Sequence, residues 1–307
     1  MKPIFSIITP TYNQGKFISK TIESILGQAG DFFIDYIIMD GASTDQTVGI
    51  IQKYEAEVLA GDMVAEEAGL KFYKPKSRFN KNLGISFRYE SKKDKGQSDA
   101  INQGFAKAVG QYTTWLNSDD YYIGQVISSM LRVFQSTGAD VVVGDTVGYD
   151  GDGKEIWRAS HNIPSIYSML YEQIAPQQPA IFYTKELIDR VGGVNENLHY
   201  VMDIDLWLKF LFAGAKFAKL HQFVAAQVYH DAAKSTQGEY WLQVFEPEDK
   251  AMKKEYRKRL GWRQYYYPLK LIKERVFRRL YDLGGKFLPR PIKDILNRII
   301  GWKRKIS

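Results

Sequence analysis

Residues 115–120 of the chain read Trp-Leu-Asn-Ser-Asp-Asp, and they mark the point where a buried strand meets a polar turn. Residues 112–116 are mostly aromatic, β-branched or aliphatic, which is typical of a short strand with both faces covered. Asp119 and Asp120 follow at once, without a cation beside them in the sequence. Because adjacent like charges repel, the pattern favours a hard divalent cation bound by carboxylate oxygens. The alternative is a solvated Asp-Asp turn that caps the next helix.

The alternation of apolar strand, polar turn and amphipathic helix also occurs on the amino-terminal side of this stretch. Residues 5–9 and 36–39 are continuous apolar strands, and each ends in a polar turn, at residues 10–15 and 40–45. Residues 17–26 carry apolar side chains at helical spacing, and a second helix follows the later turn. Repeated strand-turn-helix units predict an α/β fold with a mainly parallel sheet flanked by helices.

The same pattern continues further along the chain. A helix with Ser98 as its cap is predicted to reach residue 109, and residues 55–84 are predicted to be helical or irregular. Further strands and helices are predicted at residues 85–89, 125–136, 140–144, 145–157, 180–183, 185–191, 203–212 and 223–229. This organisation predicts one α/β domain over residues 1–235 and a helical extension over residues 236–307.

The charge of the chain is divided unevenly. The net charge is +7, but residues 250–307 carry 19 Lys and Arg against 4 Asp and Glu, whereas the preceding residues carry 23 against 31. Apolar side chains recur at helical spacing among these cations over residues 269–280 and 292–302, as in basic amphipathic helices. Such a tail predicts an anionic membrane surface as partner, and no nucleic acid is expected. The alternative is that the apolar faces pack on the body of the protein.

The composition excludes several classes of site. The chain has no Cys, which excludes disulfides, thiolate nucleophiles and Cys-ligated zinc. A Walker P-loop is absent, and so is a Gly-x-Gly-x-x-Gly turn after the first strand, which argues against NAD chemistry. The amino terminus lacks the order of a signal peptide, and no apolar run approaches the roughly 20 residues of a spanning helix. We therefore expect a cytoplasmic protein. If the basic tail binds lipid, the protein is held at the inner face of the cell membrane.

Acidic side chains occur where predicted elements meet. Asp40 ends the second strand, as Asp119 and Asp120 end a later one, and the carboxyl ends of parallel strands share one edge of a sheet. Carboxylates at such an edge accept hydrogen bonds from a nucleobase or ribose and hold a metal on a diphosphate. Asp203 and Asp205 open a predicted helix, where one is a candidate general base and capping is the alternative.

Five sequence blocks in this order resemble the family 2 glycosyltransferases, which have the GT-A fold. The blocks are Pro-Thr-Tyr-Asn-Gln-Gly at 10–15, Asp-Gly-Ala-Ser-Thr-Asp at 40–45, residues 94–104, Asn-Ser-Asp-Asp at 117–120 and residues 202–207, with a further similar segment at 177–182. The resemblance covers about residues 4–235. The chain departs from the family pattern in two places. Met202 stands where a Glu usually precedes the base, and the segment of residues 55–84 is longer than typical.

The resemblance implies contacts to the nucleotide of a sugar donor. Pro10, Tyr12 and Asp40 match positions that contact the donor nucleobase, and Asp40 would accept a hydrogen bond from a ring N–H. Asp99 matches a further contact on the donor side.

The resemblance also implies a metal site and a base. Asp119 and Asp120 match the metal-binding Asp-x-Asp region, where Asp119 would face the ribose or the metal and Asp120 would bind the ion. Asp203 matches the general base that deprotonates the acceptor. His230, just past a strand end, matches a metal or diphosphate ligand of some members, and a structural role is its alternative.

The activity that the resemblance implies is inverting, metal-dependent sugar transfer with Mg²⁺ or Mn²⁺. The donor would be a nucleoside-diphosphate sugar, UDP-linked or similar, and the acceptor a hydroxyl of a glycan or lipid-linked precursor of a polysaccharide or cell-surface glycan. A sugar nucleotidyltransferase is one alternative, but residues 10–15 lack the Gly-rich basic loop of that class. A non-catalytic glycan- or nucleic-acid-binding protein is another, and it gives no reason for acidic residues at four positions after strand ends, namely Asp40, Asp45, Asp119 and Asp120.

Overall fold

The computed structural model describes residues 2–172, 174–230, 241–265 and 268. The strands within this part of the chain are β1 (Ile4–Thr11), β2 (Phe33–Asp40), β3 (Asp62–Glu67), β4 (Leu70–Lys74), β5 (Gly84–Ser91), β6 (Tyr112–Trp115), β7 (Tyr121–Tyr122), β8 (Val141–Asp150), β9 (Glu155–Ala159), β10 (Ile181–Thr184) and β11 (Phe217–Tyr229). The helices are α1 (Ile18–Leu26), α2 (Thr47–Leu59), α3 (Gln97–Lys107), α4 (Val126–Thr137), α5 (Ile166–Tyr171), α6 (Lys185–Val191), α7 (Met202–Phe212) and α8 (Glu246–Arg259). A 3₁₀ turn (Gln178–Ala180) and a π-helical turn (Trp241–Phe245) precede β10 and α8.

All of these strands join one sheet, in the order β3-β4-β5-β2-β1-β6-β10-β8-β11-β7, with β9 paired to β8. Its centre, β5-β2-β1-β6, is parallel, and β8 and β11 are also parallel to each other. β10 lies antiparallel between β6 and β8 and joins these two parallel parts. The predicted α/β fold with a large, mainly parallel sheet flanked by helices is therefore confirmed.

Apolar side chains cover both faces of the sheet, and its central strands β1, β2 and β6 are buried along nearly their whole length. On one face, α1, α2 and α4 bury residues such as Ile22 and Phe134. On the other face, α3, α6 and α7 pack, and Trp115 of β6 stacks on Trp207 of α7 with ring centroids 5.8 Å apart. Each large side chain buried in this way contributes about 1.5–3 kcal/mol. The second face therefore holds α7 against the end of β6.

Within residues 55–84, the strands β3 and β4 form a β-hairpin over residues 62–74, so the prediction of a helical or irregular segment was wrong there, whereas residues 55–59 are the end of α2 and residues 75–83 are irregular. β3 and β4 pair through a turn in which Ala68 (φ 51°) and Gly69 (φ 77°) both take left-handed backbone angles. This is the turn that suits the twist of a two-residue hairpin loop. β3 is largely exposed and carries charges on both sides, so it lacks the alternation by which a strand is recognised.

α8 lies beyond the predicted boundary at residue 235, yet it packs on the sheet domain. Its Met252 and Tyr256 are buried in the same apolar cluster as α7, and the Tyr256 ring lies 5.3 Å from that of Phe212. The amphipathic helices predicted over residues 269–280 and 292–302 lie outside the described residues. Among the residues that the structure does describe, no helix has the length and apolar character needed to cross a membrane.

Candidate active site

The loops that carry the predicted site residues leave the sheet at one edge, here called the carboxyl edge. Thr11 at the end of β1 pairs with Asp40 at the end of β2, and Asp40 pairs with Ser91 at the end of β5. On the other side of β1, the Leu116 amide donates to the Ile8 carbonyl at 2.8 Å. The loops after β1, β2, β5 and β6 therefore start side by side.

Asp40 is buried and firmly held at this edge. Its carboxylate accepts hydrogen bonds from the Ser43 amide at 3.0 Å, from the Ser91 hydroxyl at 2.6 Å and from the Ser43 hydroxyl. The Asn13 side chain in turn accepts from the Thr44 amide at 2.8 Å, so the loops after β1 and β2 are joined. This network fixes the loop in which sequence analysis expects the nucleobase contact.

Tyr12 stands next to Asp40 and is 59% exposed, at the end of the strand that contains Pro10. Gly41 lies between Tyr12 and Asp94. A β-carbon at position 41 would be 3.4 Å from the Tyr12 ring and 2.9 Å from a carboxylate oxygen of Asp94, so both side chains come close to the Gly41 backbone. Sequence analysis did not single out Asp94 within the block 94–104. The sequence feature that could have pointed to Asp94 is the Asp-x-Gly turn, in which the Asp94 carboxylate accepts a hydrogen bond from the Gly96 amide at 2.9 Å.

Asp99 lies in the first turn of α3 and is already bonded within that turn. Its carboxylate accepts from the Lys95 amide at 3.0 Å and from the Gln103 side chain at 2.9 Å. The Lys95 amide is the main reason why the pKa of Asp99 is lowered. Ser98 is not the cap of this helix, which starts after Gly96 at a φ of 116°. Asp99 thus supports the start of α3, and its contact with a donor stays a prediction.

Asp119 and His230 meet at the other end of the carboxyl edge. An oxygen of Asp119 lies 3.1 Å from Nε2 of His230, and the Phe17 ring stacks on the imidazole with centroids 4.1 Å apart. The two residues are 111 positions apart in the sequence, and β11 carries His230 back to this point. The structure therefore brings His230, a predicted metal ligand, to Asp119, which is predicted to face the ribose or the metal.

Asp120 is buried behind this pair. One oxygen accepts from the Val228 amide at 3.1 Å, and the other has only a 3.4 Å contact with the Asn117 side chain. Burial, and next to it the charge of Asp119, raises the pKa of Asp120 well above its usual value. A cation at Asp119 and His230 would offset the second of these causes, the charge of Asp119, whereas the effect of burial would remain.

The donor groups at this point suit a divalent cation that also binds a diphosphate. Within the described residues no three His, Asp or Glu side chains are grouped closely enough to hold an ion without help. Mg²⁺ and Mn²⁺ sites on nucleotides commonly use one or two protein ligands, and phosphate oxygens and water complete the shell. The Asp119–His230 pair, with Asp120 behind it, therefore fits such an ion.

Asp203 and Asp205 differ sharply in their surroundings, although both lie in the first turn of α7. Asp205 is buried and accepts a hydrogen bond from the Tyr256 hydroxyl at 2.8 Å, with Lys209 3.4 Å from its second oxygen. Asp203 keeps some exposure, and its carboxylate accepts from the Ile204 amide at 2.8 Å. Desolvation by the surrounding protein raises the pKa of Asp203 to about 6. Of the two, Asp203 is the one free to take a proton.

Contacts through α3 connect the start of α7 with the loop after β6. The Gln97 side chain donates to that of Asn117 at 2.9 Å. The adjacent Ser98 hydroxyl lies 3.1 Å from the Leu198 carbonyl and 2.8 Å from the sulfur of Met202. Met202, which stands where the resemblance expects Glu, therefore packs on α3. Asp203 thus follows Met202, which contacts α3, and α3 also bonds to Asn117 through Gln97.

The geometry agrees with the fold of solved glycosyltransferases. TarS of S. aureus (residues 1–349, in complex with UDP-GlcNAc) superposes with a TM-score of 0.60 at 16% identity, over 98% of this chain and 80% of TarS 1–349. The mannosyltransferase PcManGT of Pyrobaculum calidifontis, in complex with GDP-Man and Mn²⁺, superposes with a TM-score of 0.52 at 14% identity, over 97% of this chain and 79% of PcManGT. These similarities establish the GT-A type of fold.

Sequence comparison identifies the family. An uncharacterized glycosyltransferase of Rickettsia typhi is 25% identical over 246 residues, which are 75% of this chain and 65% of that protein. This chain spans 53–65% of the length of three such relatives. The model of glycosyl transferase family 2 matches residues 6–190, more than half of the chain, although His230 and Asp203 lie beyond the match. The chain therefore belongs to glycosyl transferase family 2.

Proposed function

We propose that this enzyme transfers a sugar from a nucleoside-diphosphate donor to a hydroxyl group, with inversion at the anomeric carbon and with Mg²⁺ or Mn²⁺ bound. The observation that carries the proposal is the succession of contacts along the carboxyl edge. Asp40 accepts from Ser91 at the end of β5, and the chain continues from there to α3. α3 contacts both Asn117 and Met202, which precedes Asp203. Asp119, which pairs with His230, lies on the loop that carries Asn117.

The donor nucleotide is proposed to bind over the loops after β1 and β2. The exposed Tyr12 ring offers a stacking surface beside the held carboxylate of Asp40. That carboxylate accepts hydrogen bonds, and uracil and guanine both present a ring N–H that can donate one. TarS with UDP-GlcNAc and PcManGT with GDP-Man support this class of donor, and the contacts of Pro10 and Asp99 are proposed on the same side.

Asp119 and His230 are proposed to be the residues that would hold the cation at the donor diphosphate. When bound, the ion neutralises charge on the leaving diphosphate, which supplies several kcal/mol to the reaction. Asp119 and His230 are in direct contact at the edge, whereas Asp120 is buried and bonded to Val228. We therefore assign direct coordination to Asp119 and His230, and to Asp120 the support of that loop. The Mn²⁺ in the PcManGT complex supports the choice of ion.

Asp203 is proposed to act as the general base. The oxygen of the acceptor hydroxyl forms a bond with the anomeric carbon, and the proton of that hydroxyl passes to the Asp203 carboxylate. The bond between that carbon and the phosphate oxygen breaks, and the nucleoside diphosphate leaves. A single displacement from the opposite side inverts the anomeric centre. With a pKa of about 6, Asp203 is mostly ionised at pH 7, yet it is a better base than an ordinary Asp.

The acceptor is proposed to be a glycan or lipid-linked hydroxyl at the inner face of the membrane. The excess of cations in residues 250–307 supports binding to an anionic lipid surface. Sedimentation with anionic liposomes tests this, by comparing the full chain with a version that ends after residue 268. The truncation keeps α8, which packs on the catalytic body. Equal sedimentation of both versions would remove the tail as the membrane anchor.

The test of the proposed function is a panel of nucleotide sugars with Mn²⁺. Thermal shift identifies the donor that binds, and slow release of nucleoside diphosphate in water shows that the glycosyl bond is cleaved. We expect one donor to stabilise the protein and to be hydrolysed only when the cation is present. Release of pyrophosphate from a sugar phosphate and a nucleoside triphosphate would instead show a nucleotidyltransferase.

A further inference from the structure

The start of α7 is held by a carboxylate from α8. Val201 precedes α7 and offers no side-chain cap to the helix. Glu248, in the first turn of α8, fills this place from outside. One of its oxygens accepts from the His199 amide at 2.8 Å, and the other accepts from the amides of Tyr200 at 2.7 Å and Val201 at 3.1 Å.

Three successive amides on one carboxylate form a strong and directional contact. Consecutive N–H groups of this kind make a concave site for an anion, and hydrogen bonds to a charged acceptor are about twice as strong as neutral ones. The bonded segment, residues 199–201, ends two positions before Asp203. Glu248 therefore fixes the backbone from which the proposed base projects.

Two further residues show that this contact belongs to a built interface. Met252 and Tyr256 follow Glu248 at intervals of four residues, so all three lie on one face of α8. Met252 is buried, and Tyr256 donates to Asp205 of α7. Glu246, in the same first turn, instead pairs with Lys250 at the surface. The face of α8 that carries Glu248 and Tyr256 is therefore in contact with α7 and the residues before it.

The Asp203 side chain depends on this backbone for its position. Its carboxylate accepts hydrogen bonds from amides of its own turn, and among the described residues no other side chain is bonded to it. A shift of residues 199–201 therefore moves the base directly. A displacement of about 1 Å at a reacting group costs on the order of 10²-fold in rate.

We infer that Glu248 is a positioning residue for sugar transfer, and that α8 is a working part of the active site rather than a linker to the tail. The inference rests on the proposed function of Asp203. It concerns residues that lie beyond the part of the chain matched by the family model.

The decisive experiment combines Glu248→Ala with Asp203→Asn in a double-mutant cycle. Donor turnover is measured with the nucleotide sugar that the panel identifies. E248A is expected to lower kcat about 10- to 100-fold while the Kd of the donor stays within about twofold. In the D203N background E248A is expected to have no further effect, because the base it positions is gone. Equal losses in both backgrounds would show a general structural role and overturn the inference.

Two control variants and a second readout separate folding from positioning. Glu246→Ala removes a carboxylate from the same turn and should leave kcat unchanged. Glu248→Gln keeps one accepting oxygen, so its kcat should lie between those of the wild type and E248A, and it serves if E248A does not fold. Hydrogen exchange of the amides at 199–201 should be faster in E248A. Faster exchange with unchanged kcat would overturn the inference, whereas a wild-type enzyme that cleaves no donor would overturn only the proposed function.

Discussion

The two sides of the candidate site are held in different ways. On the donor side, the loops after β1 and β2 bond to each other over short distances, as with Asn13 and Ser43 and with Asn13 and Thr44. On the other side, the helix that carries Asp203 and the residues before it are bonded to Glu248 and Tyr256 of α8. The donor side is thus formed by loops that leave the sheet and bond to each other. The position of Asp203 depends instead on α8, a helix that follows the last strand of the sheet in the sequence.

Replacement of Asp203 by Asn is expected to have the largest effect. Loss of a general base lowers the rate by roughly 10²–10⁴-fold, whereas donor affinity should not change, because the donor loops do not use this residue. Assays of turnover and calorimetry of donor binding check both parts. Unchanged turnover would remove Asp203 from the role of base.

The same variant is expected to be more stable than the wild type. The pKa of Asp203 is about 6 in the folded protein against an ordinary value of 3.8, so the folded state binds the proton more tightly. Stability therefore falls as the pH rises from about 4 to about 6, and the full cost is present at pH 7. Asn carries no charge and can still accept from the Ile204 amide, so the free energy of unfolding should rise by about 1–3 kcal/mol. Urea titration at pH 7 measures this.

The pH dependence of turnover should show the same group. Below pH 6 Asp203 is mostly protonated and cannot accept a proton, so kcat should fall about tenfold for each further pH unit. Between pH 6 and 7 it should rise to a plateau. Because donor binding can also depend on pH, the donor Kd is measured over the same range. An acid limb that survives in the residual activity of D203N would assign it to another group.

Replacement of Asp40 by Asn tests the donor side. Asn offers one accepting oxygen where Asp40 serves the Ser43 amide and two hydroxyls, so the loop should lose about 1–3 kcal/mol of stability. Loss of one hydrogen bond to the nucleobase should weaken donor binding about tenfold. Thermal unfolding and calorimetry check the two effects. A donor Kd equal to that of the wild type would show that the nucleobase binds elsewhere.

The sequence predicted the donor side better than the side of the base, and the reason is physical. Strands such as 5–9 and 36–39 are rich in apolar side chains because both faces of the sheet are covered, and the polar turns that follow parallel strands meet at one edge. No local pattern announces the contact of Glu248 with residues 199–201, because a surface carboxylate in a charged helix looks the same whether or not it finds distant amides. The hairpin in residues 55–84 was missed for a similar reason, since its exposed strands lack apolar alternation.

Replacement of Tyr256 by Phe is expected to have the smallest effect on rate, and it separates the two acids of α7. The change removes the hydroxyl that donates to Asp205, and Lys209 remains 3.4 Å from the other oxygen. We expect the free energy of unfolding to fall by about 1–2 kcal/mol, as for one lost hydrogen bond to a charged group.

In the same variant kcat should stay within about threefold of the wild-type value, because Glu248 still holds residues 199–201 and Asp203 keeps its place. Urea titration and donor turnover, measured on the same preparation, check both values. A loss of rate as large as that of D203N would mean that Asp205, and not Asp203, receives the proton. The roles of Asp205 as the buried structural acid and of Asp203 as the accessible base would then be exchanged.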